Sequence, residues 1–116
     1  MSNYYLQTTI LKNCPYGTAT LNLLNIHNIK TNIITVNHDN KDNYKTDAIQ
    51  TFPQIYLKKR NSNGSLLLGG RDALESFINT FKLQSYSKEN IDEFVENNNM
   101  WSRKATLRFI EMINSK

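Results

Sequence analysis

The sequence predicts an α/β fold in which helices cover a mixed four-stranded sheet. Short runs of β-branched and aromatic residues alternate with segments of helical periodicity. The predicted order is strand, helix, strand, helix, strand, strand, helix. A strand–helix–strand unit forms a parallel pair through a right-handed crossover. Two strands joined by a short turn form an antiparallel pair. Both kinds of pair in one chain predict a mixed sheet with flanking helices.

The predicted strands are rich in β-branched, aromatic or other apolar residues and are bounded by turn-forming residues. They are Tyr4 to Leu11, Thr31 to Val36, Gln54 to Lys58 and Leu66 to Leu68. The last two are separated by the turn Asn61-Ser62-Asn63-Gly64, in which Gly64 is free to adopt a positive φ. These two strands are therefore expected to form a hairpin.

Three helices are predicted around the sheet. The first runs from Pro15 to about His27, and the second is short, capped by Asp39 or Asn40 and extending to about Ile49. The third has the clearest apolar stripe, with residues at positions i, i+3, i+4 and i+7. Those residues are Leu74, Phe77, Ile78 and Phe81.

Beyond Leu83 the pattern predicts a C-terminal helical extension. Ser87 is suited to cap a short helix, and a last amphipathic helix follows. We divide the chain into a domain at 1–84 and an extension at 85–116 that packs on it. The alternative is that these helices form a partner surface that includes Trp101 and Leu107. The apolar residues of the two helices are Ile91, Phe94, Val95, Trp101, Ala105, Phe109, Ile110 and Ile113.

Composition excludes several classes of protein. The chain has 116 residues, enough for one core, and its net charge of +4 is scattered without a Lys/Arg block, so we expect no nucleic-acid partner. A single cysteine excludes an internal disulfide and a cysteine-rich metal site, and suits a reducing compartment such as the cytoplasm. We find no membrane-spanning run and no signal-peptide pattern, so no membrane partner is expected.

The single cysteine, Cys14, lies between the first strand and the first helix. A thiol at this position faces unpaired backbone N–H groups and the positive end of the helix dipole, which favour the thiolate. The thiolate is the nucleophilic form of cysteine. Pro15 suits the first helical position, and Gly17 leaves the thiol uncrowded. Cys14 is therefore a candidate nucleophile, the alternative being a small buried apolar residue.

Three motifs together resemble the glutaredoxin family. They are Cys14-Pro15-Tyr16 between strand and helix, Thr51-Phe52-Pro53 ahead of a strand, and Gly69-Gly70-Arg71-Asp72 ahead of a helix. The resemblance covers roughly Tyr4 to Leu83. It implies a thioredoxin-like fold and a glutathione-dependent thiol–disulfide oxidoreductase, with glutathione as co-substrate and glutathionylated or disulfide-bearing proteins as partners.

The resemblance also implies a role for each motif. Cys14 is the catalytic residue. A cis peptide bond between Phe52 and Pro53 directs the Phe52 backbone toward the sulfur, where it can pair with a peptide-like substrate. The alternative is an ordinary trans proline at the start of a strand.

The glycine-rich motif is implied to bind the γ-glutamyl end of glutathione. Gly70 allows close approach of a ligand. The N–H groups of Arg71 and Asp72 bind the carboxylate, and the Asp72 side chain contacts the amino group. The alternatives are that Asp72 only caps the helix and that the Arg71 guanidinium is only solvated.

Two further residues are candidates for glutathione binding. Lys12 lies one position away from the family's usual basic residue, so it either contacts the substrate or points to the opposite face. By resemblance Tyr16 lines the groove beside the sulfur, the alternative being that it packs the first helix.

Gly17 departs from the dithiol members of the family, which carry a second cysteine there. A monothiol route remains, in which Cys14 removes glutathione from mixed disulfides. Two alternatives stay open. Two chains can share a [2Fe–2S] cluster through two Cys14 thiolates and two glutathiones, or the chain is a non-catalytic interaction protein. We expect a monomer, or a dimer formed through a cluster or the C-terminal helices.

Overall fold

The computed structural model describes residues 3–81, 87–98 and 102–114. The strands are β1 (Tyr4–Leu11), β2 (Asn32–Val36), β3 (Gln54–Lys59) and β4 (Ser65–Gly69). The helices are α1 (Pro15–Ile26), α2 (Arg71–Phe81), α3 (Lys88–Asn97) and α4 (Arg103–Asn114). All four predicted strands are present, and their ends differ from the predicted ones by no more than one residue.

The strands form one mixed sheet in the order β2-β1-β3-β4. β1 runs parallel to β2 and antiparallel to β3, and β3 is antiparallel to β4. The predicted parallel pair and the predicted hairpin are therefore confirmed. So is the α/β class with a mixed four-stranded sheet.

The predicted second helix, from about Asn40 to Ile49, is wrong. Only a single 3₁₀ turn forms, at Lys41–Tyr44. The Thr46 hydroxyl accepts hydrogen bonds from the backbone N–H groups of Ala48, at 3.2 Å, and Ile49, at 3.1 Å. These local bonds compete with helical ones, because Thr, Asn and Asp side chains offer the backbone alternative partners. The Ile49 side chain is nevertheless buried, which ties the irregular segment to the body of the protein.

One hydrophobic core joins the sheet to the helices, including those of the C-terminal extension. The predicted stripe of α2 is buried throughout. Phe77 of α2 stacks on Phe109 of α4, with ring centroids 4.5 Å apart, and meets Phe94 of α3 edge-on at 5.7 Å. We call Phe77, Phe81, Phe94 and Phe109 the phenylalanine cluster. The boundary proposed at residue 84, and Trp101, lie outside the described residues.

Ser87 caps α3 as predicted, because its hydroxyl accepts a hydrogen bond from the Asn90 N–H at 3.2 Å. On α4, Ala105, Phe109 and Ile110 are buried, whereas Leu107 is 38% exposed. Within the described ranges, none of the helices has the length and apolar content needed to cross a membrane.

Candidate active site

The topology brings three distant segments to one end of the sheet. β1 and β4 finish at this end, where β3 begins, since Thr9 pairs with Gln54 and Ile55 with Gly69. Cys14 follows β1, Pro53 precedes β3, and Gly70 follows β4. We call this the Cys14 end of the sheet. A Cβ atom added at Gly70 would lie 3.5 Å from the Pro53 carbonyl oxygen, so the last two segments are in contact.

Cys14 is the N-cap residue of α1. Its backbone is extended, with φ −94° and ψ 124°, and its carbonyl oxygen accepts the N–H groups of Gly17, at 3.1 Å, and Thr18, at 3.4 Å. Its side chain makes no capping hydrogen bond, and the residue is half-buried with a free thiol. The sulfur therefore lies at the start of the helix, where the backbone N–H groups are concentrated.

Gly17 packs α1 closely against β1. A Cβ atom at this position would lie 3.0 Å from Ile10 Cβ and 3.2 Å from Ile10 Cγ2. A side chain of any size therefore requires Ile10 to move. The sequence suggested only that Gly17 leaves the thiol uncrowded. The structure adds a packing role, because the position faces Ile10 of β1.

Tyr16 and Lys12 both face solvent near Cys14. Tyr16 is 62% exposed, so the alternative in which its ring packs the first helix is wrong, while its contact with a ligand stays a prediction. Lys12 lies in the turn after β1 and is exposed. Its backbone N–H donates to the Val36 oxygen at 2.8 Å. Because Lys12 follows the strand, the alternation of strand faces does not fix its direction.

Phe52 and Pro53 lead into β3. The peptide bond between them is cis, as the resemblance implied. Pro53 is buried and Phe52 is half-buried. The next residue, Gln54, donates its side-chain amide to the Tyr44 oxygen at 2.9 Å, which joins this loop to the 3₁₀ turn.

The glycine-rich motif connects β4 to α2. Gly69 has φ 96°, a value that favours glycine because it has no Cβ. α2 begins at Arg71, and the first bond of its ladder runs from the Leu74 N–H to the Gly70 oxygen at 3.2 Å. The preceding N–H groups belong to the unpaired first turn of a helix and suit an anion.

Arg71 is held by two carboxylates of its own helix. Its guanidinium lies 3.2 Å from Glu75 Oε2 and 3.5 Å from Asp72 Oδ1. The alternative in which the Arg71 guanidinium is only solvated is therefore wrong, because the guanidinium forms ion pairs. Its Nε is buried and has no hydrogen-bond partner among the described residues. Glu75 was not predicted as a partner of Arg71, although the spacing of four residues between them was a usable signal.

Asp72 presents a fully exposed carboxylate at the second residue of α2. It is not the N-cap residue, so the alternative of a plain helix cap is wrong. A carboxylate in the first turn still interacts favourably with the helix dipole.

A further ion pair lies at the 3₁₀ turn that follows β2. Lys45 Nζ is 2.9 Å from Asp42 Oδ1, and the hydrogen bond and charge of Lys45 lower the pKa of Asp42. Nowhere in the described part of the chain do three His, Cys, Asp or Glu side chains come together in a way that could hold a metal ion.

Neither a model of a known protein family nor any curated protein matches this chain.

Proposed function

We propose that this protein is a glutathione-dependent thiol–disulfide oxidoreductase with a thioredoxin-like fold, similar to the glutaredoxins. One observation carries the proposal. Three segments that are far apart in sequence, one bearing the free thiol, lie at the Cys14 end of the sheet, and two of them are in contact. The strand order β2-β1-β3-β4 with a single parallel pair also supports it. We place the protein in the cytoplasm, where a free thiol stays reduced.

Glutathione binds between the three segments. The unpaired N–H groups at the start of α2 receive its γ-glutamyl carboxylate, and the exposed Asp72 carboxylate receives its amino group. The half-buried Phe52 presents backbone to the peptide part. Tyr16, which is exposed beside Cys14, covers the ligand from the helix side. The role of Lys12 in this groove is part of the same proposal.

The reaction begins with attack by the Cys14 thiolate on the glutathionyl sulfur of a mixed disulfide. A new S–S bond joins Cys14 to glutathione, the original S–S bond breaks, and the substrate leaves as a thiolate that takes a proton from water. The helix start at Cys14 stabilises the attacking charge.

A second glutathione completes the cycle. Its thiolate attacks the glutathionyl sulfur on Cys14, glutathione disulfide leaves, and the Cys14 thiolate is restored. One glutathione thiol has been oxidised and the substrate sulfur has been reduced to a thiol, while the glutathionyl group of the substrate leaves as half of glutathione disulfide, so the electrons balance. No second protein thiol is needed, which agrees with glycine at position 17.

The test is the reduction of hydroxyethyl disulfide by glutathione, coupled to glutathione reductase and followed by NADPH absorbance. We expect activity in the natural protein and a loss of more than a thousandfold in Cys14→Ser, because a hydroxyl cannot replace the thiolate. Thermal unfolding of both proteins controls for the fold, and mass spectrometry after incubation with glutathione disulfide should find one glutathione on Cys14.

A folded natural protein with no activity and no glutathione adduct would overturn the proposal and favour an interaction role. A brown protein purified without oxygen, bleached by removal of glutathione, would instead favour the shared cluster.

A further inference from the structure

A cleft of about 1120 Å³ opens at the opposite end of the sheet from Cys14. It lies where β1 begins and where α1 and α4 end. Tyr4 and Tyr5 line it, whereas Cys14 follows the other end of β1. Seven residue steps of β1 separate the two ends, or roughly 23 Å at the usual rise of a strand. The cleft is therefore a separate site, and the glutathione chemistry proposed above does not use it.

One part of the cleft wall is apolar. Leu21 and Leu24 of α1, Leu6 of β1 and Ile113 of α4 line it. Leu6 and Leu24 are almost fully buried and belong to the core. The cleft is open to solvent on one side, and its partly apolar lining is typical of sites that bind small organic molecules. The apolar lining alone would suit any apolar ligand, so the charged residues of the cleft decide the chemical class of the ligand.

The charged residues of the cleft are all positive. Lys30 and Arg60 line it, and its described lining contains no Asp or Glu. The two cations flank the beginning of β1. Arg60 donates its backbone N–H to the Asn3 oxygen at 2.7 Å on one side, and Lys30 leads into β2 on the other. Neither cation has an ion pair with a carboxylate of the described residues.

Arg60 is oriented by an aromatic ring. Its guanidinium carbon lies 5.3 Å from the centre of the Tyr5 ring. Stacking of this kind uses the flat face of the guanidinium and leaves its N–H edge for hydrogen bonds. A planar, partly ordered guanidinium beside an apolar wall suits a carboxylate attached to an apolar body.

We propose that this cleft binds a small amphipathic organic anion, an alkyl or aryl carboxylate. Its carboxylate lies between Lys30 and Arg60, and its apolar body lies against Leu21 and Ile113, which are half-buried. The two cations supply orientation and the apolar wall supplies most of the buried area.

The test uses sodium octanoate and its neutral counterpart 1-octanol in a titration followed by two-dimensional ¹H–¹⁵N NMR. We expect octanoate to cause saturable shifts at the amides of Tyr5, Leu24 and Lys30 and to bind at least fivefold more tightly than octanol. The Lys30→Gln/Arg60→Gln variant should bind octanoate about tenfold more weakly, since each exposed ion pair contributes little. Its binding of octanol should not change.

A matched control separates local contact from net charge. Lys88→Gln/Lys104→Gln removes the same two charges from exposed positions on α3 and α4, and we expect octanoate affinity to stay within twofold. Equal weakening in both double variants would overturn the proposal, as would shifts confined to the Cys14 end. Equal affinity of the natural protein for octanoate and octanol would also overturn it, and this comparison needs no variant. Cys14→Ser should bind octanoate normally.

Discussion

The phenylalanine cluster and the Cys14 end of the sheet differ in the solvent exposure of their side chains. The rings of Phe77, Phe94 and Phe109 are nearly or fully buried. At the Cys14 end, Tyr16 is mostly exposed and the Asp72 carboxylate is fully exposed. The residues that hold the helices together are thus not the residues to which we assign chemistry. Substitutions in one region should change stability, and substitutions in the other should change activity.

The energies of the two regions differ in the same way. Full burial of a phenylalanine contributes about 1.5–3 kcal/mol, and an aromatic pair adds about 0.5–1.5 kcal/mol. A solvent-exposed ion pair contributes about 0–1 kcal/mol. The pairing of Arg71 with Glu75, 34% and 46% exposed at their side chains, is of the second kind. The surface of the candidate site can therefore change at little cost to the fold.

The largest effect on stability should come from Phe109→Ala. The ring is fully buried and stacked on Phe77, so its removal leaves a cavity and should lower the free energy of unfolding by about 3–5 kcal/mol. Urea denaturation measures this change. Leu107→Ala, on the same helix at an exposed position, is the control and should cost less than about 1 kcal/mol. A large loss of activity per folded molecule in Phe109→Ala would contradict the separation of stability from activity between the two regions.

Gly17→Ala tests a residue of the Cys14 end that has a packing role, since position 17 is close to the thiol in sequence but packs on Ile10. The added Cβ should overpack this contact by about 1–3 kcal/mol, offset by about 1 kcal/mol of helix propensity. We expect a net loss of about 1 kcal/mol by urea denaturation. Gly70→Ala is the control for the close contact, because a Cβ atom at position 70 would lie an ordinary 3.5 Å from the Pro53 oxygen. If Gly17→Ala proved more stable than the natural protein, the close packing of α1 on β1 would be refuted.

The smallest effect on stability should come from Asp72→Asn. The carboxylate is fully exposed and its one ion pair within the described part of the chain is with Arg71, at 3.5 Å, so the free energy of unfolding should stay within about 0.5 kcal/mol. The KM for glutathione should rise about threefold to tenfold, because the amino group loses its charged partner. Asp39→Asn removes an exposed carboxylate after β2 and should leave KM unchanged. Equal KM values in the two variants would remove Asp72 from the site.

Local patterns predicted most of the fold because each depends on a few neighbouring residues. The stripe of α2 recurs at helical spacing around Phe77, and all of its members are buried. Ser87 was predicted to cap α3 from its position alone, and it does. The segment before Ile49 was predicted incorrectly, because hydrogen bonds to the Thr46 side chain replace those of a helix.

The candidate site was predictable only in part. The place of Cys14 ahead of a helix followed from Pro15 and the pattern around it. The contact of Arg71 with Glu75 was not predicted, because a spacing of four residues permits an ion pair without requiring one. The cleft beside Lys30 and Arg60 had no signal in the sequence. These residues are thirty positions apart in the chain, and the sheet brings both of them to the beginning of β1.

The sequence by itself determined the strands, most of the helices and the position of one thiol at the start of a helix, because these depend on periodicity, capping and turn residues within short windows. Only the tertiary structure decided which segments meet. Pairing of β1 with β3 and of β3 with β4 brings Cys14, Pro53 and Gly70 to one end of the sheet and leaves a basic cleft at the other. Such contacts join residues far apart in the chain, and they form only when the whole apolar surface is buried together.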